Sequence, residues 1–222
     1  MKRFFLRFQT ARVLKRLIRG ERILIVGSGR SASELADIPP GIKLFTCNAG
    51  IRFFDGKAMD RPLDLFFCNK AKLQREKEIE LLLVKIRTRV FVSRNTDGIR
   101  ENTALRGSYE RLLYDDSTDP WYLTRLIRPQ GVQDIQGRCE ATWTSTGMRL
   151  LQYALYFGAR EVYVVGMDFG ENGYFWGPKP NPWGHPDIDE NFIRIVSAKY
   201  RNVFSISSKS PLSHHLPVKR PA

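Results

Sequence analysis

The sequence lacks the long apolar runs that membrane spans and secretory signals require. No apolar stretch in it approaches the ~20 residues of a membrane-spanning helix. The basic N-terminus is not followed by the apolar core and small-residue cleavage site of a secretory signal. Cysteine is scarce too, since Cys47, Cys68 and Cys139 are odd in number and show no C-x-x-C spacing. Neither a disulfide framework nor a zinc site is predicted, and we expect reduced thiols in a cytoplasmic protein.

Histidine is also rare, and this limits the metal and acid–base chemistry available to the chain. Only His185, His214 and His215 occur, and no carboxylate pair stands at a plausible metal position, so we expect no metal and no other cofactor. A lone histidine in a polar loop is usually just exposed. His185 follows a loop rich in glycine, proline and aromatic residues, however, and its ordinary pKa of about 6.5 suits a general base.

Positive charge is abundant and concentrated at the N-terminus. The net charge is +13, and residues 1–22 carry eight basic side chains against the single acid Glu21. Apolar residues recur there at helical spacing, so residues 1–21 are predicted to form a basic amphipathic helix. Such a helix either lies on an anionic membrane surface through residues 1–20 or packs its apolar stripe on the domain. No nucleic-acid motif accompanies the charge, so no nucleic-acid partner is expected.

The remainder of the chain, residues 22–222, alternates short β-rich runs with helical patterns. The predicted strands are RILIVG (22–27), IKLFTC (42–47), LDLFF (63–67), RVFVS (89–93), EVYVVG (161–166) and NVFSIS (202–207). The clearest predicted helices cover 72–86, 146–159 and 187–200. This alternation predicts an α/β, Rossmann-like domain whose mostly parallel sheet has helices on both faces. Residues 115–142 and 170–186 fit neither pattern, and loops of that length are typical of lids or binding loops.

Ligands of such sheets bind beyond the carboxyl ends of the strands, so the residues just after each strand matter most. Here they are mainly amides and hydroxyls, which suit recognition of a base, a sugar and a phosphate. They are Gly27, Ser28, Gly29, Asn48, Asn69, Ser93, Asp168, Ser207, Ser208 and Ser210.

The stretch VGSGRSA resembles the fingerprint of a dinucleotide-binding turn. Gly27, Gly29 and Ala32 follow the G-x-G-x-x-A spacing directly after a predicted strand, which admits an NAD(P)-type oxidoreductase. That reading requires an acidic residue at the end of the second strand to hold the ribose. The second strand ends in Cys47 and Asn48 instead, which disfavours NAD but still favours a phosphate or ribose close to the turn.

A cluster of hydroxyls precedes the helical pattern that starts near residue 146. Thr144, Ser145 and Thr146 stand there with Gly147. Hydroxyls at this position cap a helix by accepting bonds from its first N–H groups. The same free N–H groups form an anion site together with the helix dipole, and the stretch alone leaves both interpretations open.

In order along the chain, these blocks resemble the bacterial sialyltransferases of glycosyltransferase family 42, and more distantly the animal sialylmotif family. The resemblance covers residues 22 to about 213. It is carried by ILIVGSGRSASEL, CNAG, FFCN, TSTGMRLLQYALYFGAREVYVVGMDF, the GH before Glu190 in a His-x4-Glu spacing, and SSKSPLS.

The resemblance implies transfer of sialic acid, or a related nonulosonic acid, from a CMP-activated donor to a glycan or glycolipid, with inversion and without metal. A lipooligosaccharide is an expected acceptor. His185 would deprotonate the acceptor hydroxyl and Tyr174 would contact the leaving phosphate. The other implied donor-binding residues are Gly27, Ser28, Gly29, Asn48, Asn69, Thr144, Ser145, Thr146, Gly147 and Asp168.

The chain departs from the family pattern at two positions. It has Ser28 where the family has asparagine, and Gly170 where the family has the first of two phosphate-contacting tyrosines. These departures leave room for another CMP-activated acid as the donor. An NAD(P) oxidoreductase and a noncatalytic basic surface-binding module remain the alternative functions, and a homo-oligomer remains open.

Overall fold

The structure is a computed structural model that describes residues 2–57, 59–68, 70–93, 96–114, 144–169, 173–177 and 186–221, with the backbone alone for 2–8, 70 and 186. The described strands are β1 Arg22–Val26, β2 Lys43–Cys47, β3 Leu63–Phe67, β4 Thr88–Ser93, β5 Tyr109–Tyr114, β6 Glu161–Val165 and β7 Val203–Ser205. The α-helices are α1 Lys2–Ile18, α2 Lys70–Arg75, α3 Lys77–Ile86, α4 Thr96–Arg100, α5 Thr146–Tyr156 and α6 Pro186–Lys199. Short 3₁₀ helices cover Arg30–Glu34, Asn48–Phe54, Thr103–Leu105 and Pro211–His214.

The described strands form one parallel sheet in the order β5-β4-β3-β2-β1-β6-β7. The chain runs outward from β1 to β5 and then returns to place β6 on the other side of β1. The α/β, Rossmann-like class predicted from the alternation of strands and helices is confirmed. The order reverses between β1 and β6, which is where this class of sheet forms a ligand crevice.

Both faces of the sheet are covered, which explains why its central strands are continuously apolar. On one face α1, α5 and α6 supply buried residues such as Leu14, Tyr153 and Val196. On the other face α3 and the 3₁₀ helix after β2 supply Leu83 and Phe54. Two separate apolar clusters therefore hold one rigid sheet between them.

Helix α1 packs against the domain along the second half of its length. Leu14 and Ile18 are buried in the first cluster, and the Thr10 hydroxyl donates to the carbonyl of Tyr114 at 3.1 Å. The opposite side exposes Arg12 and Lys15, followed by Arg16 and Arg19. The helix therefore contributes to the core and also presents a basic outer face. In the described part of the chain no helix has the length and apolar content needed to cross a bilayer.

Two sequence predictions of secondary structure were wrong. The helix predicted over 72–86 is two helices, α2 and α3, because Glu76 leaves helical geometry with φ −121° and ψ 78°. The apolar pattern continues across the break because Leu73 and Ile79 are both buried in the same cluster. Strand β5 was missed because it is an edge strand with mostly exposed or half-buried side chains. The predicted lid regions 115–142 and 170–186 lie largely outside the described residues.

Candidate active site

The candidate site is a pocket at the carboxyl ends of β1, β2 and β6, where the strand order reverses. Its walls are the glycine turn after β1, the start of α5, the turn after β6 and the tip 173–177. Predicted donor-binding residues lining it are Gly27, Ser28, Gly29, Asn48, Ser145, Thr146, Gly147 and Asp168, together with Tyr174.

The glycines of VGSG allow the turn after β1 to approach the backbone at the end of β6 closely. Gly27 N–H donates to Val165 O at 2.8 Å, and Gly29 N–H donates to Gly166 O at 2.7 Å. A Cβ on Gly27 would lie 2.1 Å from Gly166 O, and Gly166 itself has φ +72°. No side chain fits there, so the turn after β1 lies directly against the turn after β6.

Asp168 ties this junction together from inside. Its Oδ2 accepts the Ser31 N–H at 2.7 Å, while its Oδ1 accepts the Ser31 hydroxyl at 2.5 Å and the Ser210 hydroxyl at 2.9 Å. The Ser31 hydroxyl also accepts the Gly166 N–H at 2.9 Å. Asp168 is 3% exposed, so this carboxylate connects three separate segments of chain at the wall of the pocket.

The hydroxyl cluster before α5 has divided roles. The Ser145 hydroxyl caps α5 by accepting the Met148 N–H at 3.3 Å, and Ser145 N–H donates to Asp189 Oδ1 at 2.9 Å. The Thr146 hydroxyl lies on the pocket wall and accepts from Asn48 Nδ2 at 3.1 Å. The capping interpretation is confirmed for Ser145, and the anion site stays a prediction, with Thr146 on the pocket wall.

Asn48 is oriented by an uncommon backbone conformation. Its φ is +47°, in the left-handed region that asparagine tolerates better than most residues. Directly after it, the chain turns so tightly against β1 that a Cβ on Gly50 would lie 2.6 Å from the Thr46 hydroxyl oxygen and 2.8 Å from Val26 O. The amide of Asn48 is thereby held across the pocket against α5.

Tyr174 reaches the pocket on a small hairpin that packs on the glycine turn. Tyr174 N–H donates to Gly177 O at 2.9 Å, and Phe175 N–H donates to Ser28 O at 3.1 Å. The Tyr174 ring stacks on Trp176 with centroids 4.5 Å apart and an interplanar angle of 11°. The Arg52 guanidinium carbon lies 4.6 Å from the Trp176 ring centroid. These contacts attach the tip to both β1 and the 3₁₀ helix after β2.

Three side chains with titratable groups meet at the inner wall of the pocket. Lys72, Asp189 and Cys47 all line it. Burial and, to a smaller extent, the negative charge of Asp189 raise the pKa of the Cys47 thiol to about 12, and the Lys72 ammonium partly offsets both effects. Cys47 is therefore a neutral thiol at physiological pH, and the charged groups beside it are the Lys72 ammonium and the Asp189 carboxylate.

Comparison with solved structures identifies the fold. The chain is similar to the sialyltransferase CstII from Campylobacter jejuni in complex with a substrate analogue, CMP-3FNeuAc, with 17% identity, a TM-score of 0.57, and coverage of 90% of this chain and 86% of that one. A Cst-II variant in complex with CMP matches at 15% identity and TM-score 0.58 over the same shares. An α-2,3-sialyltransferase from Campylobacter jejuni in apo form matches at 15% and 0.56, over 92% and 83%.

The chain has the fold of these sialyltransferases. No protein-family model matches the sequence, and the search of curated proteins finds no match. The resemblance found in the sequence motifs and the comparison of three-dimensional structures indicate the same group of proteins, at an overall identity of 15–17%.

Several predicted residues lie outside this pocket or outside the described residues. Thr144 is buried beside the pocket, where its hydroxyl accepts from Gln152 Nε2 at 3.4 Å. Asn69, Gly170 and His185 are outside the described residues. Glu190, the second member of the His-x4-Glu spacing, lies with its Oε1 3.1 Å from Nε2 of His215. In the described ranges no group of three metal-ligating side chains is present.

Sequence reasoning missed three residues of the site. Lys72 was assigned only to a predicted helix, although a basic residue soon after the third strand was a usable signal. Asp189 resembled an ordinary acid in the first turn of a helix, where acids favour the helix dipole. Ser31 was only one hydroxyl within the glycine turn. Its hydroxyl donates to Asp168 and accepts from Gly166. Both partners follow β6, more than 130 residues further along the chain.

Proposed function

We propose that the protein transfers sialic acid, or a related nonulosonic acid, from a CMP-activated donor to a glycan or glycolipid acceptor with inversion of configuration. The observation that carries this proposal is the pocket of hydroxyl, amide and glycine groups at the switch point of a sheet shared with sialyltransferases crystallised with CMP and with CMP-3FNeuAc. The transfer is proposed to need neither a metal nor another cofactor, and a lipooligosaccharide is an expected acceptor.

The start of α5 supports binding of a phosphate. Ser145 caps the N–H of Met148, and the Ser145 carbonyl accepts the N–H of Arg149. The N–H groups of Thr146 and Gly147 make no hydrogen bond within the described part of the chain. Free N–H groups at the first turn of an 11-residue helix are suited to an anionic oxygen.

The glycine turn and the strand ends supply the remaining donor contacts in this proposal. Gly27, Ser28 and Gly29 let the nucleotide approach the backbone closely. Asn48 and Asn69 are assigned to the nucleotide and its ribose or phosphate. The donor sugar and phosphate are assigned to Thr144, Ser145, Thr146 and Gly147. Asp168 already accepts three hydrogen bonds, so its proposed role towards the cytidine and ribose is to hold the surrounding turn in place.

His185 is proposed as the general base and Tyr174 as a donor to the leaving phosphate. His185 immediately precedes α6 in the sequence, and Asp189 in the first turn of that helix lines the pocket, which supports the choice of His185 as the base. The acceptor hydroxyl loses its proton to His185 and attacks the anomeric carbon, while the phosphate oxygen of CMP leaves from the opposite side. Such a base contributes about 10²–10⁴-fold to the rate.

The 170–186 segment is proposed as a lid. The tip 173–177 already packs on the glycine turn through the Phe175–Ser28 hydrogen bond. Closure over the donor would exclude water and limit hydrolysis of the activated sugar.

Transfer and calorimetry test the proposal together. The protein is expected to bind CMP in isothermal titration with no comparable binding of AMP or NAD, and to transfer sugar from CMP-sialic acid in the presence of EDTA. His185→Ala should lower transfer by about 10²–10⁴-fold with CMP affinity nearly unchanged, and His214→Ala, at an exposed histidine, is the matched control. Tighter binding of NAD than of CMP would instead support the oxidoreductase alternative, and a parental rate for His185→Ala would refute the base.

We also propose that α1 places the protein on the inner face of the cytoplasmic membrane. The exposed side chains of Arg12, Lys15, Arg16 and Arg19 form the basic outer face of the helix, and each contributes about 1 kcal/mol of attraction to an anionic surface. Replacing the first three by glutamine should abolish sedimentation with phosphatidylserine vesicles and leave CMP binding intact. Vesicle binding that is unchanged in the triple variant would remove this part of the proposal. Light scattering of the same sample determines whether the protein is a homo-oligomer.

A further inference from the structure

The described wall of the pocket carries more acidic than basic side chains. A CMP-activated sialic acid carries a phosphodiester and a carboxylate, so it is a dianion. The described wall already contains two buried carboxylates, Asp168 at 3% and Asp189 at 1% exposure. Among the described lining residues Lys72 is the one basic side chain. A dianionic ligand in this pocket needs a compensating charge, and Lys72 is positioned to supply it.

The local structure holds Lys72 at the pocket without burying its charge. α2 begins just beyond the carboxyl end of β3, and Lys72 in its first turn lines the pocket. The ammonium forms an ion pair with Glu76, one turn further along the chain, and 24% of the Lys72 side chain remains exposed. Its field reaches the Cys47 thiol at the end of β2. A lysine ammonium is a compact charge with several N–H donors. It can therefore stay paired with Glu76 and donate a hydrogen bond to an additional anionic oxygen.

We propose that Lys72 binds an anionic oxygen of the donor, either of its phosphate or of its sugar carboxylate, and so makes the pocket select charged cytidine ligands over neutral cytidine. This inference rests on the proposed CMP-sugar function. It assigns to Lys72 a role in donor specificity beyond that of closing a turn of helix with Glu76.

The alternative role for Lys72 is structural, and its contribution would then be small. A partly solvent-exposed ion pair such as Lys72–Glu76 contributes little to stability. Lys72→Met is therefore expected to fold, and its loss of stability should match that of Lys77→Met. Lys77 is a suitable control because it also pairs with a glutamate, Glu80, at 3.5 Å, and its side chain is 69% exposed on the next helix.

Calorimetry with three cytidine ligands tests the proposal on the intact protein. The ligands are cytidine, CMP and the donor analogue CMP-3-fluoro-sialic acid. Lys72→Met should weaken binding of the analogue about 10- to 100-fold, the usual worth of a charge-assisted hydrogen bond, and leave cytidine binding unchanged. Lys72→Arg should restore most of the loss, while Lys77→Met should bind all three ligands like the parent.

The ligands also distinguish the two sources of the anionic oxygen. Weakened binding of CMP as well as of the analogue assigns Lys72 to the phosphate, whereas weakened binding of the analogue alone assigns it to the carboxylate. Equal affinities of Lys72→Met and the parent for CMP and the analogue would overturn the inference and leave the proposed function standing, as would an equal loss for neutral cytidine. A parent protein that binds none of the three ligands would overturn the proposed function itself.

Discussion

Replacing Asp168 by asparagine tests the junction that forms the pocket. The change is nearly isosteric, but asparagine has one acceptor oxygen where aspartate has two. If that oxygen keeps the hydroxyls of Ser31 and Ser210, the new NH₂ group faces the Ser31 N–H, which now donates at 2.7 Å. The buried Ser31 N–H then loses its acceptor, and it is brought against the N–H donors of the asparagine side chain. An unsatisfied buried donor costs about 1–3 kcal/mol, so we expect a loss of about 2–4 kcal/mol.

Two serine variants give the expected effect a rank order. Ser210→Ala removes one of the two hydroxyls on Asp168 Oδ1 and also the long, 3.4 Å cap on the Leu212 N–H, and should cost about 1–2 kcal/mol. Ser31→Ala removes the other and also strands the buried Gly166 N–H, so it should cost about 2–3 kcal/mol. Asp168→Asn should therefore be the most damaging change and Ser210→Ala the least. Asp97→Asn, at an exposed carboxylate, is the control that should change nothing.

Urea unfolding followed by circular dichroism measures these free energies, and thermal melts check them. For a chain of this size each kcal/mol corresponds to about 2–4 °C in Tm. Because the same carboxylate fixes the glycine turn, Asp168→Asn should also weaken CMP binding, measured by calorimetry. A variant as stable as the parent would refute this account of the junction, and so would a Ser210→Ala variant less stable than Ser31→Ala.

Three further predictions follow from contacts elsewhere in the molecule. Gly27→Ala should destabilise strongly in urea titration because the added methyl would meet Gly166 O at 2.1 Å; a wild-type midpoint would contradict the contact. Cys47, with its pKa raised to about 12 from an ordinary 9.0, should not react with a thiol reagent at pH 8 until the protein is unfolded. Between about pH 9 and pH 12 the thiol ionises in the unfolded chain but not in the folded protein, so the free energy of unfolding should fall as pH rises through that range. A native thiol that reacts readily would refute its burial. Deletion of residues 1–19 removes buried Leu14 and should lower Tm, so an unchanged melt would show that α1 is dispensable.

Much of the site could be predicted from local sequence because its requirements are local. A strand followed by closely spaced glycines indicates a tight turn, whatever lies opposite. Hydroxyls before an apolar helical pattern indicate a capped helix start, and Ser145 indeed caps α5. Five of the six predicted strands agree with the structure to within one residue at each end, and the last, 202–207, begins one residue early and ends two residues late. Each of these features depends on neighbouring residues, whose patterns a single sequence displays.

What the sequence could not show depends on which strands become neighbours. Asp168 looks like any acid after a strand until β6 pairs with β1 and brings it against Ser31 and, further on, Ser210. Lys72 and Asp189 are 117 residues apart in sequence, and only the packing of their two helices at one edge of the sheet puts them in a single pocket. Strand order and helix packing are set by burial of apolar faces across the whole chain, a non-local sum that no short motif contains. Local sequence patterns therefore predict the class of fold and the type of groups at the strand ends. The tertiary structure decided their partners and the charge of the pocket.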